Sequence, residues 1–244
     1  MHTECEEIYI INSLYKSLLN YCEGLHLVHM SYENQFDCVI PAAGLSARMG
    51  SWKPMTDYFG QPMILHIVEK TLKVCRRIIL VTGHRGNELE TFFAPYEKVS
   101  CVRNPDYRQG MFRSIQTGAR LVTTDWFFIT LGDMPAIPGR LFTKLANEID
   151  EHPSVDIIRP VYRNQPGHPV LLKRSVAAAI SRLEPAADMQ MVFKVHRENT
   201  GRGVYELSVD TPGSIYDVDT NDDLLKPSAS FSGGRNIKGE TDEH

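Results

Sequence analysis

The sequence predicts an α/β fold of three layers, in which helices cover both faces of a mostly parallel central β-sheet. Short apolar runs of strand length recur along the chain, and segments with helical spacing of their apolar residues separate them. Strands that are joined through helices pair in parallel and are buried on both faces. With 244 residues, the chain can form one sizeable domain of this kind with extensions, or two small domains.

The first half of the chain shows the most regular alternation. Four apolar runs are predicted to be buried strands: 38–40, 77–82, 99–102 and 126–131. Four segments that follow them have helical spacing or a polar helical composition: 63–72, 87–93, 110–122 and 139–151. Each predicted strand is therefore followed by a predicted helix, as parallel pairing of successive strands requires.

The second half is less regular. Strands are predicted at 155–159, 169–172, 204–209 and 215–219, and helices at 176–183 and 190–196. A short helix is expected at 221–225. Asn221 is its expected N-cap, because an asparagine side chain can accept a bond from the free N–H groups of the first turn.

Two terminal segments are predicted to lie outside the main domain, which we place at residues 36–226. Ile8, Ile11 and Leu14 stand at helical spacing and predict a helical extension over residues 1–35. The extension could pack on the domain, contact another subunit or derive from another module. Residues 227–244 are rich in serine, glycine and charged residues, a composition typical of disorder.

Composition argues against several classes of protein and partner. The net charge of −4 argues against a dedicated nucleic-acid binder, and no apolar run approaches the roughly 20 residues of a membrane span. The five cysteines are widely spaced without a Cys-x-x-Cys pair, which indicates a reducing compartment and no structural zinc site. Acidic Glu4, Glu6 and Glu7 stand where a secretory signal carries positive charge, so we expect a cytoplasmic protein.

The most informative segment is the loop 41–50, Pro-Ala-Ala-Gly-Leu-Ser-Ala-Arg-Met-Gly, which is followed by Lys53. Its small residues let the backbone approach a ligand, and Arg48 and Lys53 add two positive charges. A strand, a glycine loop, cations and a helix form a phosphate-binding arrangement in α/β proteins. The loop matches neither the Gly-x-x-x-x-Gly-Lys-Ser/Thr motif nor Gly-x-Gly-x-x-Gly. The alternative is an ordinary strand-to-helix turn with two solvated cations.

The pattern Ala-Ala-Gly-x-Ser-x-Arg-Met-Gly-x-x-Lys resembles the signature of the MobA-like NTP transferases, which have a glycosyltransferase-A-like, Rossmann-like fold. It is most similar to their molybdenum cofactor cytidylyltransferase branch. Four further segments follow in the family's order and at family-like spacing: 104–114, 131–135, 167–171 and 216–224. The resemblance covers about 37–226 and implies a set of nucleotide-binding residues: Ala42, Ala43, Gly44, Ser46, Arg48, Lys53, Thr82, Gly110 and Ser114. Ser46 is expected to be a hydrogen-bond donor of the loop rather than a nucleophile.

The sequence Leu-Gly-Asp-Met-Pro at 131–135 ends the most apolar predicted strand. Ligands of an open parallel sheet bind beyond the carboxyl ends of its strands. A carboxylate there suits Mg²⁺, which takes one or two carboxylates together with substrate phosphates. The resemblance implies that Asp133 holds this metal, and the alternative is a common turn after a strand.

A second carboxylate is expected from the segment 216–224. We favour Asp219 as the residue that completes the Mg²⁺ site, because it lies nearest to the C-terminal end of the predicted strand 215–219. Asp217 is the second choice. Asp222 and Asp223 are interpreted as favourable charges at a helix N-terminus.

Three further positions bear on the substrates. His168, in Gly-His-Pro, resembles a family element and would contact the acceptor's phosphate or pterin; a structural histidine is the alternative. His84 follows the predicted strand 77–82 where the nucleotide base would lie, or belongs to a solvated loop. Arg113 replaces the small residue of much of the family and would meet phosphate or solvent, whereas Met111 is interpreted as a core residue.

The resemblance implies an enzyme that transfers CMP from CTP, or a nucleotide from another NTP, to the phosphate of molybdenum-charged molybdopterin and releases pyrophosphate. The implied catalytic residues are Arg48, Lys53 and Asp133. The guanylyl branch tends to carry glycine at the position of Ala43, and a methyl group there favours the smaller pyrimidine. Two alternatives stay open: another acceptor, such as a sugar phosphate or methylerythritol phosphate, and a nucleotide-binding assembly partner of a molybdenum hydroxylase apoenzyme.

Overall fold

The computed structural model describes residues 34–45, 52–220 and 222–225. Residues 1–33 of the expected extension and the tail from residue 227 lie outside these ranges. So do the expected cap Asn221 and two of the expected nucleotide-binding residues, Ser46 and Arg48.

The described strands form one large sheet and one small hairpin. In chain order they are β1 Phe36–Pro41, β2 Asp57–Tyr58, β3 Gln61–Pro62, β4 Cys75–Thr82, β5 Val99–Arg103, β6 Trp126–Ile129, β7 Val155–Tyr162, β8 Gln165–Pro166, β9 Val170–Lys173 and β10 Gly203–Ser208. The large sheet has the order β10–β7–β9–β6–β1–β4–β5, with β8 paired to β7, and β2 pairs with β3.

Most neighbouring strands of the large sheet are parallel. Strand β1 pairs in parallel with β4 and with β6, β4 with β5, and β7 with β10. Strand β9 is antiparallel to both β6 and β7. The C-terminal ends of β1, β4, β5 and β6 therefore meet at one edge of the sheet, where an open α/β sheet binds its ligands.

Helices cover both faces of this sheet. They are α1 Met63–Leu72, α2 Gly86–Phe93, α3 Met111–Ala119, α4 Gly139–Glu151, α5 Arg174–Arg182 and α6 Met189–Thr200. Buried residues of α1, α2 and α4 join one apolar cluster, and those of α3, α5 and α6 join a second. The predicted three-layer fold is confirmed.

Strand β1 shows why the apolar runs fold in this way. Its side chains alternate, so that Cys38 and Ile40 enter the first apolar cluster while Val39 enters the second. All three are fully buried. A run such as 38–40, which is apolar on both faces of its strand, fits the centre of a sheet that is covered on both faces.

The predicted strand 215–219 is wrong. This segment follows a 3-10 helix, Pro212–Ser214, and pairs with none of the strands in the described part of the chain. The N–H of Val218 donates to the carbonyl of Asp133 at 2.9 Å, so the segment crosses the loop after β6 and does not extend the sheet. The helix expected at 221–225 is a single 3-10 turn, Asp223–Leu225, and β6 ends at Ile129, two residues before the predicted end.

Within the described ranges, no helix combines the length and the apolar character needed to cross a bilayer.

Candidate active site

A cavity of about 310 Å³ opens at the C-terminal edge of the parallel strands. The loop after β1, the start of the segment before α1, the segment before α3 and the loop after β6 surround it. Its lining comprises Pro41, Ala42, Ala43, Gly44, Leu45, Lys53, Pro54, Tyr107, Arg108, Gly110, Met111, Ser114, Leu131, Gly132 and Asp133. The cavity therefore lies where an open α/β sheet receives a ligand.

One wall of the cavity depends on the absence of a side chain at Gly83. A Cβ built there would lie 2.7 Å from the Cβ atoms of both Ala43 and Tyr107. The N–H of His84 donates to the carbonyl of Ala43 at 3.2 Å. Because Gly83 has no side chain, the loops after β1 and β4 and the segment before α3 can meet.

The segment 104–114 is ordered by Asn104, which is buried. Its Nδ2 donates to Oγ of Ser114 at 3.0 Å, and its Oδ1 accepts from the N–H of Asp106 at 3.0 Å. Gly110 precedes α3 with a φ of 110°, a conformation that favours glycine. The segment thus brings the first turn of α3, with Met111 and Ser114, to the wall of the cavity. The interpretation of Met111 as a core residue is wrong, because its side chain is exposed beside the cavity.

Lys53 is positioned by its neighbours in the chain. Trp52 is 7% exposed and belongs to the core, and the Cζ of Arg85 lies 4.5 Å from the centre of its ring. The carbonyl of Lys53 accepts from the N–H of Thr56 at 3.1 Å. The lysine backbone is therefore fixed beside the cavity, and its side chain is largely buried.

The Lys53 ammonium lies between two carboxylates from distant parts of the chain. Its Nζ is 3.4 Å from Oδ2 of Asp133 and 2.5 Å from Oδ1 of Asp219. Both carboxylate side chains keep about a third of their surface exposed. Three predicted site residues, 80 or more positions apart in sequence, thus meet at the cavity.

The charges of this group oppose and support one another. Burial has the largest influence on the pKa of Asp133 and raises it. The Lys53 ammonium lowers this pKa but offsets burial only in part, and the Asp217 carboxylate raises it further. Burial alone would lower the pKa of Lys53, but bonds and attraction to Asp219 and Asp133 leave it raised. The lysine is therefore firmly cationic, whereas Asp133 holds its negative charge at a cost.

The loop that carries Asp219 is held by Asp223. Its carboxylate accepts from the backbone N–H groups of Asp219 and Thr220, at 3.2 and 3.0 Å. The interpretation of Asp223 as a helix-terminus charge is therefore too narrow, because its side chain organises the preceding loop. Asp217, the second choice for the metal, is exposed but is close enough to influence the pKa values of Asp133 and His168.

His168 lies beside this group, next to the end of β6. Its N–H donates to the carbonyl of Ser214 at 2.7 Å, and its Nδ1 is 3.5 Å from the carbonyl oxygen of Ile129. A Cβ at Gly167 would lie 2.4 Å from the Ser214 carbonyl oxygen, so this close contact requires glycine. Burial lowers the pKa of His168, against the effects of the Ile129 carbonyl and Asp217, and favours the neutral imidazole.

The structure brings together most, but not all, of the predicted residues. The cavity lining includes Ala42, Ala43, Gly44, Lys53, Gly110, Ser114 and Asp133. Asp219 joins them through Lys53. Thr82 does not line the cavity: it is fully buried, and its Oγ1 donates to Oε1 of Glu90 at 2.8 Å.

Sequence reasoning gave no individual site role to three residues that shape the site. Tyr107 lines the cavity, Asn104 orders the segment that carries it, and Asp223 holds the Asp219 loop. The signal for the first two was the Asn-Pro-x-aromatic sequence at 104–107. Asp223 had no local signal that distinguished it from the adjacent Asp222.

The carboxylates at the cavity can hold a divalent metal only together with a substrate. Across ranges 34–45, 52–220 and 222–225, no group of three or more His, Cys, Asp or Glu residues is arranged to hold a metal ion. Asp133 and Asp219 supply two carboxylates, and Mg²⁺ is commonly held by one or two carboxylates together with substrate phosphates. The residues therefore fit a hard cation that binds together with a triphosphate, and not a metal held by the protein alone.

Comparison with known proteins agrees with this geometry. The family model of the MobA-like NTP transferase domain matches residues 38–200. The molybdenum cofactor cytidylyltransferase of Escherichia coli is 32% identical over 189 residues, which are 78% of this chain and 93% of the relative.

Solved structures show the same fold. The crystal structure of Rv0371c from Mycobacterium tuberculosis is 24% identical, with a TM-score of 0.63 over 78% of this chain and 96% of its own. Its complex with manganese is 23% identical, with a TM-score of 0.59 over the same shares. CMP:2-keto-3-deoxy-manno-octonic acid synthetase, solved with CTP, is 20% identical with a TM-score of 0.60 over 80% of this chain and 98% of its own.

The matched family model covers the loop after β1, Lys53 and Asp133 in a single domain, and the E. coli relative extends the match over most of the chain. The chain therefore belongs to the MobA-like NTP transferase family of nucleotidyltransferases.

Proposed function

We propose that this nucleotidyltransferase moves CMP from CTP to the phosphate of molybdenum-charged molybdopterin and releases pyrophosphate, with Mg²⁺ as its metal. The observation that carries the proposal is the Lys53 ammonium, which lies between Asp133 and Asp219 at the wall of the cavity that Lys53 and Asp133 line. The name of the E. coli relative supports the choice of nucleotide and acceptor.

The reaction needs positioning and charge neutralisation. An oxygen of the acceptor phosphate forms a bond to the α-phosphorus of CTP, and the bond from this phosphorus to the bridging oxygen of pyrophosphate breaks. Lys53, which is firmly cationic, would bond the phosphate oxygens and stabilise the leaving pyrophosphate, and Arg48 is proposed to assist it. Among the residues that the structure describes, the cavity lining holds no cysteine or histidine. We propose a direct attack of the acceptor phosphate on CTP, without a covalent intermediate.

Asp133 and Asp219 would hold the Mg²⁺ ion. When bound with the triphosphate, this ion supplies positive charge that neutralises the phosphate oxygens during the transfer. The raised pKa of Asp133 supports this role, because a carboxylate that is poorly satisfied by the protein gains most from a cation. His168, neutral and next to Asp217, would donate to or accept from the acceptor.

Base choice rests on the wall formed by Ala43. This residue is 4% exposed and lines the cavity, and its Cβ borders the space that a side chain at Gly83 would fill. Its methyl group reduces the space at that wall, which favours the smaller pyrimidine over guanine.

The test is pyrophosphate release with CTP, GTP, ATP or UTP, each with Mg²⁺ and with or without molybdenum-charged molybdopterin. We expect release that requires the pterin and is fastest with CTP. Preference for GTP would keep the reaction and contradict the argument from Ala43. No release with any triphosphate, despite measurable CTP binding, would contradict the proposed acceptor.

Two variants connect the reaction to the site. Lys53→Ala should lower turnover by roughly 10³-fold, because one preorganised charged donor contributes that much at a reacting phosphate. Lys144→Ala removes an exposed lysine of α4 that is absent from the cavity lining, and should leave turnover unchanged. Wild-type turnover in a folded Lys53→Ala variant would exclude the proposed site.

A sugar acid is the second candidate acceptor. The 3-deoxy-manno-octulosonate cytidylyltransferase of Coxiella burnetii, which is 29% identical over 126 residues, or 50% of this chain and 49% of the relative, supports it. The same assay with 3-deoxy-manno-octulosonate in place of the pterin distinguishes the two, because only the true acceptor should stimulate pyrophosphate release from CTP.

A further inference from the structure

The Asp223 carboxylate gathers four donors from the loop that precedes it. Its Oδ1 accepts from the hydroxyl of Tyr216 at 2.6 Å. Its Oδ2 accepts from the N–H of Asp219 at 3.2 Å, and from the N–H and Oγ1 of Thr220 at 3.0 and 2.7 Å. One side chain therefore fixes the backbone on both sides of the peptide bond between Asp219 and Thr220.

This backbone carries the carboxylate that meets Lys53. Oδ1 of Asp219 is 2.5 Å from the lysine Nζ. The segment 216–219 has no strand partner among the described residues, so the sheet does not hold Asp219. The bonds to Asp223 take over that task, since two of the four involve the backbone of Asp219 and Thr220.

A small apolar cluster fixes the other side of the same loop. Val218 is fully buried against Tyr58 and Met63, with Tyr216 and Leu224 packed against them. Tyr58 and Met63 belong to the segment that continues from Lys53 through the β2–β3 hairpin into α1. The apolar cluster thus ties the Asp219 loop to the lysine's own segment.

A backbone bond adds the third partner. The N–H of Val218 donates to the carbonyl of Asp133 at 2.9 Å. Val218 therefore holds the loop of Asp219 close to the loop of Asp133. Asp223 orients Asp219, the residue that follows Val218. The carboxylate pair that faces Lys53 depends on both.

We propose that Asp223 is a positioning residue for the metal and phosphate site: it acts through Asp219, whose carboxylate it aims at Lys53 and Asp133. This inference rests on the proposed function, because Asp219 is there assigned to Mg²⁺. Residues that orient metal ligands through hydrogen bonds typically change metal affinity or activity by roughly 10-fold to 100-fold when they are replaced.

Asp222 provides a matched control. It is the adjacent acidic residue, is exposed, and its side chain makes none of the bonds to the Asp219 loop that Asp223 makes. A general loss of negative charge near the site would affect Asp222→Ala and Asp223→Ala equally. A positioning effect would affect Asp223→Ala alone.

The first measurement is the affinity for Mn²⁺ in the presence of CTP, which electron paramagnetic resonance of the ion reports. We expect Asp223→Ala to weaken Mn²⁺ binding at least tenfold, whereas Asp222→Ala stays within about twofold of wild type. Asp223→Asn keeps the volume and one acceptor oxygen, so its affinity should fall between them, and it provides the test if the alanine variant does not fold. Wild-type Mn²⁺ affinity in folded Asp223→Ala and Asp223→Asn, or equal losses at Asp222 and Asp223, would overturn the inference.

Pyrophosphate release separates this inference from the function on which it rests. In Asp223→Ala, the Mg²⁺ concentration for half-maximal release should rise at least tenfold. The KM for CTP at saturating Mg²⁺ should change less than threefold, because Ala43 and Ser114 are untouched. If the wild type releases no pyrophosphate from any triphosphate, the proposed function fails, while the comparison of Mn²⁺ affinities still decides the role of Asp223.

Discussion

Two aspartates at opposite edges of the sheet, Asp37 fully buried and Asp133 partly buried, differ in how completely the protein bonds their carboxylates. Asp37 lies at the start of β1 and is fully buried. Its carboxylate accepts from Nε and Nη2 of Arg77 at 3.1 and 2.8 Å, and from the N–H of Thr123 at 2.8 Å. Nε of Arg76, at 3.3 Å, adds a further donor.

Asp133 lies beyond the C-terminal end of β6 and has far fewer donors. Within the described part of the chain, its side-chain donor is Nζ of Lys53, at 3.4 Å. Burial is the largest influence on the pKa of both aspartates and raises it in each case. At Asp37 the bonds from Arg77 and Thr123 outweigh burial and leave the pKa lowered, whereas at Asp133 burial prevails and the pKa is raised.

The difference distinguishes a structural carboxylate from a functional one. A buried charge that is fully bonded by its own protein stabilises the fold and has little left to offer a ligand. A buried charge that is bonded incompletely costs stability, and a chain keeps it where a cation or substrate completes its bonds. The comparison predicts that substitutions at the two positions have opposite effects on stability and activity.

The largest expected effect is on turnover at the C-terminal edge. Asp133→Asn keeps the shape of the side chain but removes its charge, so turnover should fall by roughly 10³-fold, or about 4 kcal/mol. The free energy of unfolding at neutral pH should not decrease, because the folded chain no longer holds an incompletely bonded charge in a partly buried position. Pyrophosphate release and urea denaturation of the same preparation measure the two quantities.

Lys53 keeps Asp219 as its partner in this variant, so the change does not isolate a buried cation. A folded Asp133→Asn protein that retains more than a tenth of wild-type turnover would break the comparison. A loss of stability as large as the one expected at Asp37 would break it equally.

The next effect in size is on stability at the N-terminal edge. Asp37→Ala leaves the donors of Arg77 and Thr123 without their buried acceptor and should lower the free energy of unfolding by about 3 kcal/mol. Turnover per folded molecule should stay near wild type, because Asp37 is at the edge of the sheet opposite to the cavity. Urea denaturation measures the first quantity, and activity corrected for the folded fraction measures the second.

Asp125 provides the control for this substitution. Its side chain is 88% exposed and its carboxylate is 3.4 Å from Arg174, so Asp125→Ala should change the free energy of unfolding by less than about 0.5 kcal/mol. Equal losses at Asp37 and Asp125 would mean that the network around Asp37 contributes nothing beyond an exposed ion pair.

The same contrast explains how much of the fold was predictable. Three predicted elements lie close to their observed positions: the strands at 77–82 and 155–159 and the helix at 139–151. The spacing of their apolar residues depends on burial alone. The segment 215–219 has an apolar alternation that resembles a strand, yet its N–H groups bond the Asp133 loop and the Asp223 side chain. The local sequence pattern cannot indicate that the partner of Val218 is Asp133, more than 80 residues earlier in the chain.

The candidate site was predictable where a motif concentrates its residues. Ala43, Lys53 and Asp133 belong to short motifs, and all three line the cavity. Thr82 was expected there because it ends β4, but the direction of its side chain depends on Glu90, with which it bonds. The role of Asp223 required the positions of four donors, which the sequence Asn-Asp-Asp does not encode.

A smaller effect concerns pH and sharpens the contrast between the aspartates. The lowered pKa of Asp37 adds stability that is fully present above the unfolded value of about 3.9 and is lost as pH falls through the folded pKa. The raised pKa of Asp133 acts with the opposite sign, because its charge costs stability above the folded pKa and protonation removes this cost. Accordingly, the stability deficit of Asp37→Ala should shrink as pH falls below about 4.

Urea denaturation of wild type, Asp37→Ala and Asp133→Asn between pH 3 and pH 7 tests these signs, over a range chosen to cross the ordinary aspartate pKa of about 3.9. Any advantage of Asp133→Asn over wild type should also shrink toward acid pH, but it should begin to do so at a higher pH than the deficit of Asp37→Ala. Parallel curves for the three proteins would contradict the opposite pKa shifts.

The smallest expected effect is on the choice of base. It tests whether the shape of the cavity at the C-terminal edge, in addition to its charge, selects the ligand. Ala43→Gly removes one methyl group from the wall beside Gly83, so the ratio of kcat/KM for CTP to that for GTP should fall about tenfold, or about 1.4 kcal/mol. The measurement is pyrophosphate release with the two triphosphates in competition. Ser175→Gly, a substitution at an exposed position of α5, removes a side chain that is absent from the cavity lining and should leave the ratio unchanged. If Ala43→Gly instead weakened both triphosphates equally, Ala43 would support the loop without reading the base, and selectivity would have to come from the parts of the wall formed by Tyr107 and the first turn of α3.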